Sequence, residues 1–311
     1  MKACSALFLV PLTMNLLFAD TPSPGIRHDV NYLGPDRAEK LDIYLPPENF
    51  ARPVPAVLFI HGGGWRLGDK AGKREVNIGG TLAAHGYAVF SINYLLNVGD
   101  RDAATGKTKL TSVAWPQNLH DCKTALRFIR KESARYGINP DRIATMGGSA
   151  GGHLAMLVGA TANRAEINRH GLYTEQSNGV TCIINFYGEY DVSGRWRASF
   201  AGDTPEKTVA NARAASPVTY LDKNTPPMFI THGSADKTIP AERSRMLTNY
   251  LEKLGVDYLY VEIGGAPHSY DLEPAQMDLR PAVLTFLEKY LGKPASAAAS
   301  NKDANATSVA Q

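Results

Sequence analysis

The chain is 311 residues long, 44% hydrophobic and 20% charged, an ordinary globular composition with room for one large α/β domain or two small ones. Its formal net charge of +3 is small for that length and no dense Lys/Arg run occurs, which argues against nucleic acid as a partner.

The first residues, MKACSALFLVPLTMNLLFAD, carry Lys2, then an apolar run to Ala19, then acidic and Pro-rich sequence. This reads as a secretory signal peptide over residues 1–19, although Leu17 is larger than the residue usually found three before a cleavage point. The competing reading is an uncleaved anchor, for which the run is slightly short. Cys4 lies too early to look like a lipidation site. Export predicts a periplasmic or secreted location and no stable membrane insertion once the signal is cut. Cys122 and Cys182 would remain; they could form one disulfide, but a helix position and a buried-strand position favour two buried thiols.

Beyond the signal, extended runs alternate with helical ones. IRHDVNYL, KLDIYL, AVLFIH, YAVFSINY, RIATMG, TCIINFYG, PMFITH and YLYVEI read as strands, several of them apolar throughout, as in a parallel sheet buried on both faces. NLHDCKTALRFIRKESARYG places Leu119, Cys122, Ala125, Leu126 and Ile129 at helical spacing and stops at Gly137. ERSRMLTNYLEKLG and PAVLTFLEKYLG end on glycine in the same way. The alternation predicts a doubly wound sheet, with the first two strands joined antiparallel because no helix separates them. One catalytic-size domain is expected over residues 20–293, and the tail 294–311, almost without large apolar residues, is expected to be disordered.

Four short stretches carry chemistry. MGGSAGGHLA follows the strand RIATMG and opens a helix, so Gly147-Gly148-Ser149-Ala150-Gly151 reads as a tight strand–turn–helix elbow presenting Ser149. Residues two before and two after the serine must lack side chains, and Gly147 and Gly151 occupy those places. The helix N-terminus aims free N–H groups at the reacting oxygen. LFIHGGGW, also after a strand, offers backbone N–H donors for an oxyanion from Gly63 and Gly64, with Ala150 as the third. FITHGSADKTIP puts Asp236 just past a strand, and VEIGGAPHSYDL puts His268 after the last strand. Their chain order is Ser149, Asp236, His268, all at carboxyl ends of strands, where open α/β sheets hold their sites.

Each role has rivals. His61 is expected to brace the glycine loop, His153 to be structural, and His232 to brace the loop before Asp236; Asp191 is a substitute acid; Ser234 lacks elbow glycines. Trp65 and Tyr187 are candidate substrate-binding residues, with core packing as the alternative for each, and Tyr190 shares that ambiguity.

On these residues the chain resembles the α/β-hydrolase superfamily, within it the HGGGW/GxSAGG esterases related to hormone-sensitive lipase. HGGGWRLGDK, PDRIATMGGSAGGHLA, SPVTYLDKNTPPMFITHGSADKTIP and LGVDYLYVEIGGAPHSY resemble the secreted bifunctional feruloyl and acetyl xylan esterases, over residues 27 to 292. The resemblance implies an eight-stranded, mostly parallel sheet with helices on both faces. It also implies ester hydrolysis through an acyl-enzyme on Ser149, with His268 as base, Asp236 as its partner, and no metal or organic cofactor. The implied substrate is a small-molecule or polysaccharide ester with a short or aromatic acyl group. Two departures bear on specificity: the long polar loop LLNVGDRDAATGKTKLTSVAWPQ, and Ser269 where the family often has glycine. An amidase of the kynurenine-formamidase type, a serine exopeptidase and a non-catalytic hydrolase-fold binding protein are the alternatives.

Overall fold

A computed structural model describes residues 25–101 and 108–297, so the expected signal at 1–19 lies outside the described residues. The elements in chain order are β1 (Gly25–Val30), β2 (Leu41–Leu45), β3 (Val54–Ile60), α1 (Lys73–Ala84), β4 (Ala88–Ile92), β5 (Val98–Arg101), β6 (Thr108–Ser112), α2 (Gln117–Lys131) and α3 (Ser133–Tyr136). After them come β7 (Ile138–Gly148), α4 (Ala150–Ala160), α5 (Ala165–Asn168), β8 (Cys182–Phe186), α6 (Pro205–Ala214), β9 (Met228–Gly233), α7 (Glu242–Leu254), β10 (Tyr258–Ile263) and α8 (Arg280–Leu291).

Eight strands form one sheet in the order β1-β2-β4-β3-β7-β8-β9-β10. β2 pairs antiparallel with β1 and with β4, and every later neighbour is parallel. The strand period of two sorts β3 onto two cores. Ala56, Leu58 and Ile60 meet Leu119, Leu126 and Leu154 from α2 and α4. Val57 and Phe59 face the other way, into Ile78, Leu82, Val283 and Phe286 from α1 and α8. Helices therefore cover both faces, and burial of the central strands on both sides explains their unbroken apolar runs.

The expected helix over 118–137 is two pieces: α2 ends at Lys131, with Glu132 between, and α3 adds a turn that stops at Gly137 with φ +64°. The long polar loop after β4 folds into a separate hairpin, β5 with β6, that carries no apolar alternation to announce it. Asn97 ties its base to the site. Its N–H donates to Trp65 O (2.8 Å) and its Nδ2 to Ser199 O (3.1 Å). Cys122 and Cys182 are free, buried thiols.

The expected disorder from residue 294 is corrected at its start. Ala51 N–H donates to Ala295 O and Ala297 N–H to Asn49 O, both at 2.8 Å. Backbone pairing needs no large side chain, so composition could not reveal it; the rest of the expected tail, 298–311, lies outside the described residues. Among the described residues no helix is long and apolar enough to cross a membrane.

Candidate active site

β7 runs in the centre of the sheet and turns into α4 at Ser149, whose φ of +56° and ψ of −121° lie where side chains are rarely tolerated. The turn closes because its flanks are bare. A Cβ on Gly147 would stand 2.4 Å from Gly151 backbone, and one on Gly151 would stand 2.0 Å from Ile60 O. Ser149 N–H donates to Phe186 O at 2.8 Å, pinning the elbow to β8.

The structure brings Ser149, His268 and Asp236 together. His268 Nε2 lies 2.9 Å from Ser149 Oγ, and His268 Nδ1 lies 2.6 Å from Asp236 Oδ2. Asp236 is itself gripped, with Oδ1 accepting from the N–H groups of Thr238 (2.8 Å) and Ile239 (2.9 Å). Oδ2 also faces His232 Nε2 at 3.2 Å. Burial alone would raise the Asp236 pKa, but hydrogen bonds from His232, His268 and the Ile239 N–H outweigh it and hold the carboxyl well below the usual carboxylate range.

The glycine loop after β3 stands opposite. Gly63, Gly64 and Trp65 all have positive φ (+109°, +62° and +59°), which turns the chain back on itself. Arg66 and Leu67 donate to Gly63 O, closing the turn. The N–H groups of Gly63, Gly64 and Ala150 take no hydrogen-bond partner among the described residues. All three residues line a cavity of about 200 Å³ together with Ser149, Trp65, His268 and Ser269. Carboxyl-end placement, a nucleophile, a relay and free donors thus converge on one space.

The competing residues serve as braces. His61 is buried, stacks on Tyr94 at 4.5 Å, and takes a Tyr94 Oη bond on its carbonyl (3.0 Å). His153 Nδ1 accepts from Trp65 Nε1 (3.1 Å), while its Nε2 donates to Ala215 O (2.7 Å). Both ring nitrogens are spent, and burial pushes its pKa down to about 4. His232 Nε2 donates to Ile239 O (2.8 Å) and Nδ1 meets Ser244 Oγ (2.7 Å). Asp191 holds Ser193 and Ser216, and Ser234 Oγ accepts from Gly265 N–H. Tyr190 packs in the core under Arg243.

Trp65 lines the cavity with a small part of its ring and buries the rest against Phe200, His153 and Trp196. Tyr187 is corrected from substrate binding to support. It is fully buried and outside the cavity wall; its Oη donates to Tyr270 O (2.6 Å) and accepts from Arg74 Nη1 (3.0 Å), and its ring meets His268 edge-on at 4.8 Å. Absence of a side chain at Gly148 lets the phenol slide beneath the elbow rather than onto its rim. Glu189, Trp196, Thr238 and Ile239 also line the cavity and went unread. Thr238 and Ile239 follow Asp236 closely enough to be inferred; Glu189 and Trp196 sit in a loop with no periodicity. Among the described residues no group of three His, Cys, Asp or Glu side chains is placed to hold a metal ion.

An eight-stranded, mostly parallel sheet with a serine elbow at its centre is the α/β-hydrolase fold. Residues 41–251 match the BD-FAE family, and the chain belongs to it. Among curated proteins it is similar to Esterase LipC of Mycobacterium tuberculosis, 31% identical over 77% of this chain and 59% of that protein. The chain spans about three-fifths of the length of the first curated relatives it matches. Among solved structures it is similar to a truncated carbohydrate esterase from gut microbiota (TM-score 0.74, 24% identity, 88% of this chain and 99% of that one). It is also similar to a bifunctional GH43-CE protein of Bacteroides eggerthii (TM-score 0.69, 25% identity, 85% of this chain and 38% of that one).

Proposed function

We propose that this chain is an exported serine carboxylic ester hydrolase that removes short or aromatic acyl groups, acetyl or feruloyl, from plant polysaccharide. The observation that carries the reading is the hydrogen-bonded run from Ser149 Oγ through His268 to Asp236, facing three unengaged N–H groups across one cavity. Similarity to a named esterase supports hydrolysis of an ester, and the carbohydrate-esterase likeness supports the sugar side. Export rests on the apolar run of residues 3–19.

In this mechanism His268 Nε2 takes the Ser149 hydroxyl proton as Oγ attacks the ester carbonyl. The new oxyanion is received by the N–H groups of Gly63, Gly64 and Ala150, each such donor being worth about 2.7–4 kcal/mol of barrier. Asp236 fixes the Nδ1–H tautomer and stabilises the imidazolium. His268 then returns the proton to the leaving alcohol, and water repeats the cycle on the acyl-enzyme. The walls contributed by Trp65, Trp196 and Ile239 suit a compact acyl group.

The test is turnover of p-nitrophenyl acetate, acetylated xylan and methyl ferulate by the purified protein and by Ser149→Ala. The expected outcome is a loss of at least about 10³-fold in kcat for the variant on every substrate that the wild type cleaves. Wild-type turnover by Ser149→Ala overturns the mechanism; cleavage of p-nitrophenyl acetate with no activity on either plant-type ester overturns the polysaccharide assignment.

A further inference from the structure

Glu189, Trp196, Thr238 and Ile239 belong to two walls at once. On one side they close the cavity at Ser149; on the other they open onto a second depression of about 300 Å³, completed by Asp191, Ser193, Arg195 and Arg243. The two spaces differ in chemistry: the first is walled by Trp65, Trp196, backbone and Ile239, whereas the second adds the charged side chains of Asp191, Arg195 and Arg243 to the apolar surfaces of Trp196, Ile239 and Pro240.

Those charges divide into the Arg243–Glu189 ion pair and a less engaged couple, Arg195 and the outer oxygen of Asp191. Arg243 grips Glu189 through Nε (3.0 Å) and Nη2 (2.8 Å), and Glu189 Oε1 also takes the N–H groups of Tyr190 and Asp191. Arg195 is exposed, lies 5.0 Å over the Trp196 ring, and spends only Nη1, on Thr238 O at 2.8 Å. Among the described residues its Nε and Nη2 have no hydrogen-bond partner, and the contact of Asp191 Oδ2 is Arg243 at 3.8 Å. The depression therefore presents the unspent Nε and Nη2 donors of Arg195 on the same lining as Asp191, whose Oδ1 is taken by Ser193 and Ser216 and whose Oδ2 accepts no hydrogen bond among the described residues; two arginines are balanced by two carboxylates. An anion would be favoured by a net positive pocket; a neutral group that both donates and accepts fits this one. Adjacent hydroxyls on a sugar ring are such a group.

Position agrees with that chemistry. Thr238 and Ile239 are held by Asp236 Oδ1, so the depression opens on the acid–base side of the cavity. The leaving alcohol must lie on that side to receive its proton from His268. We propose that this depression is the subsite for the sugar that carries the scissile ester, with Arg195 as a specificity-determining residue. The inference rests on the esterase reading above and deepens it, by assigning the alcohol to the charged space and the acyl group to the aromatic one.

The test compares two esters that share an acetyl group, p-nitrophenyl acetate and an acetylated xylo-oligosaccharide, in the wild type, Arg195→Ala and Asp191→Asn. For Arg195→Ala, kcat/KM on the oligosaccharide is expected to fall roughly tenfold or more relative to that on p-nitrophenyl acetate, mainly through KM, as for loss of one charge-assisted hydrogen bond. Asp191→Asn is expected to move the same ratio in the same direction. Arg195→Lys should recover little, because an ammonium cannot span two hydroxyls as a planar guanidinium does. Equal losses on both esters, carried by kcat, would mean that Arg195 merely clasps the Asp236 loop through Thr238, and would overturn the subsite while leaving the esterase standing. A wild type that cleaves p-nitrophenyl acetate but not the acetylated sugar overturns the polysaccharide reading, and the subsite with it.

Discussion

Asp236 accepts four N–H groups and donates none: Thr238 and Ile239 on Oδ1, His268 and His232 on Oδ2. No neutral isostere can do this. In Asp236→Asn the amide nitrogen must face donors on whichever side it is turned, leaving at least one buried pair of donors opposed. Turned toward His268 it reverses the ring tautomer; turned toward Thr238 and Ile239 it breaks the loop. Expected outcomes are a fall in kcat on p-nitrophenyl acetate of about 10⁴-fold and a loss of about 1–3 kcal/mol in stability from the unpaired groups. Steady-state kinetics and urea unfolding read the two separately, and a variant with near wild-type kcat would remove Asp236 from the relay. The positions of Ser149, Asp236 and His268 were legible because each stands at a strand end within a glycine- or proline-marked turn. Tyr187 was not, since whether a ring at a strand end rims a cavity or lies beneath it depends on bare space at Gly148, a tertiary fact.

At the scale of elements, the eight strands of the sheet were readable as extended runs, several of them apolar throughout, whereas β5 and β6 are short, polar and outside it. The helical spacing of Leu119, Cys122, Ala125, Leu126 and Ile129 marks α2, and its residues from Asn118 to Ile129 are all buried, Lys123 among them. The reason lies in α4, the helix that begins at Ser149. Its last carbonyls need partners, and Lys123 Nζ donates to Thr161 O (3.2 Å) and Asn168 Oδ1 (2.8 Å), within 3.5 Å of Val158 O. An ammonium at a helix C-terminus is well placed for the helix dipole. Burial is nonetheless costly to the charge and, with Arg127 nearby, lowers the Lys123 pKa to about 7, against about 10.4 in the unfolded chain. The unfolded state thus binds the extra proton between these values, so stability from this group rises with pH above about 7. The contribution reaches at most about 1.4 kcal/mol per pH unit. Urea titrations at pH 7.5, 8.5 and 9.0 should show that rise in the wild type and a flatter profile in Lys123→Met. Parallel profiles would show that Lys123 stays charged in the fold.

Across the whole molecule, one imidazole joins the parts that must stay together for the site to exist. His153 lies in α4, takes the Trp65 indole N–H from the glycine loop, and donates to Ala215 just past α6. Trp65 meets His153 edge-on at 5.1 Å, Phe200 lies tilted against His153 at 5.6 Å, and Trp115 meets Phe200 edge-on at 5.7 Å, with Trp196 on Trp65 at 6.0 Å. These are all three tryptophans of the chain. Nothing in the spacing of Trp65, His153 and Ala215 along the sequence hints at this joint; it exists because the sheet sets β3 beside β7. Protonating His153 Nδ1 would set an N–H against the indole N–H, so the folded state resists the proton down to about pH 4, while an unfolded histidine takes it near ~6.5. His120, stacked 4.4 Å from His170, is likewise pushed down to about 4 by burial, with His170 adding to it. Since the unfolded chain binds these protons first, stability falls as pH drops from about 6.5 to 4, by up to about 1.4 kcal/mol per unit for each ring. Tryptophan fluorescence followed through urea at pH 7, 6, 5 and 4 reads this directly, because every indole reports on the one cluster. The midpoint should fall steeply in the wild type, and His153→Gln, which cannot titrate yet retains a donor and an acceptor, should flatten the histidine slope, leaving the parts from His120 and from buried His61, while costing stability at pH 7. If the midpoint is unchanged between pH 6.5 and 4, neither ring is held neutral in the fold.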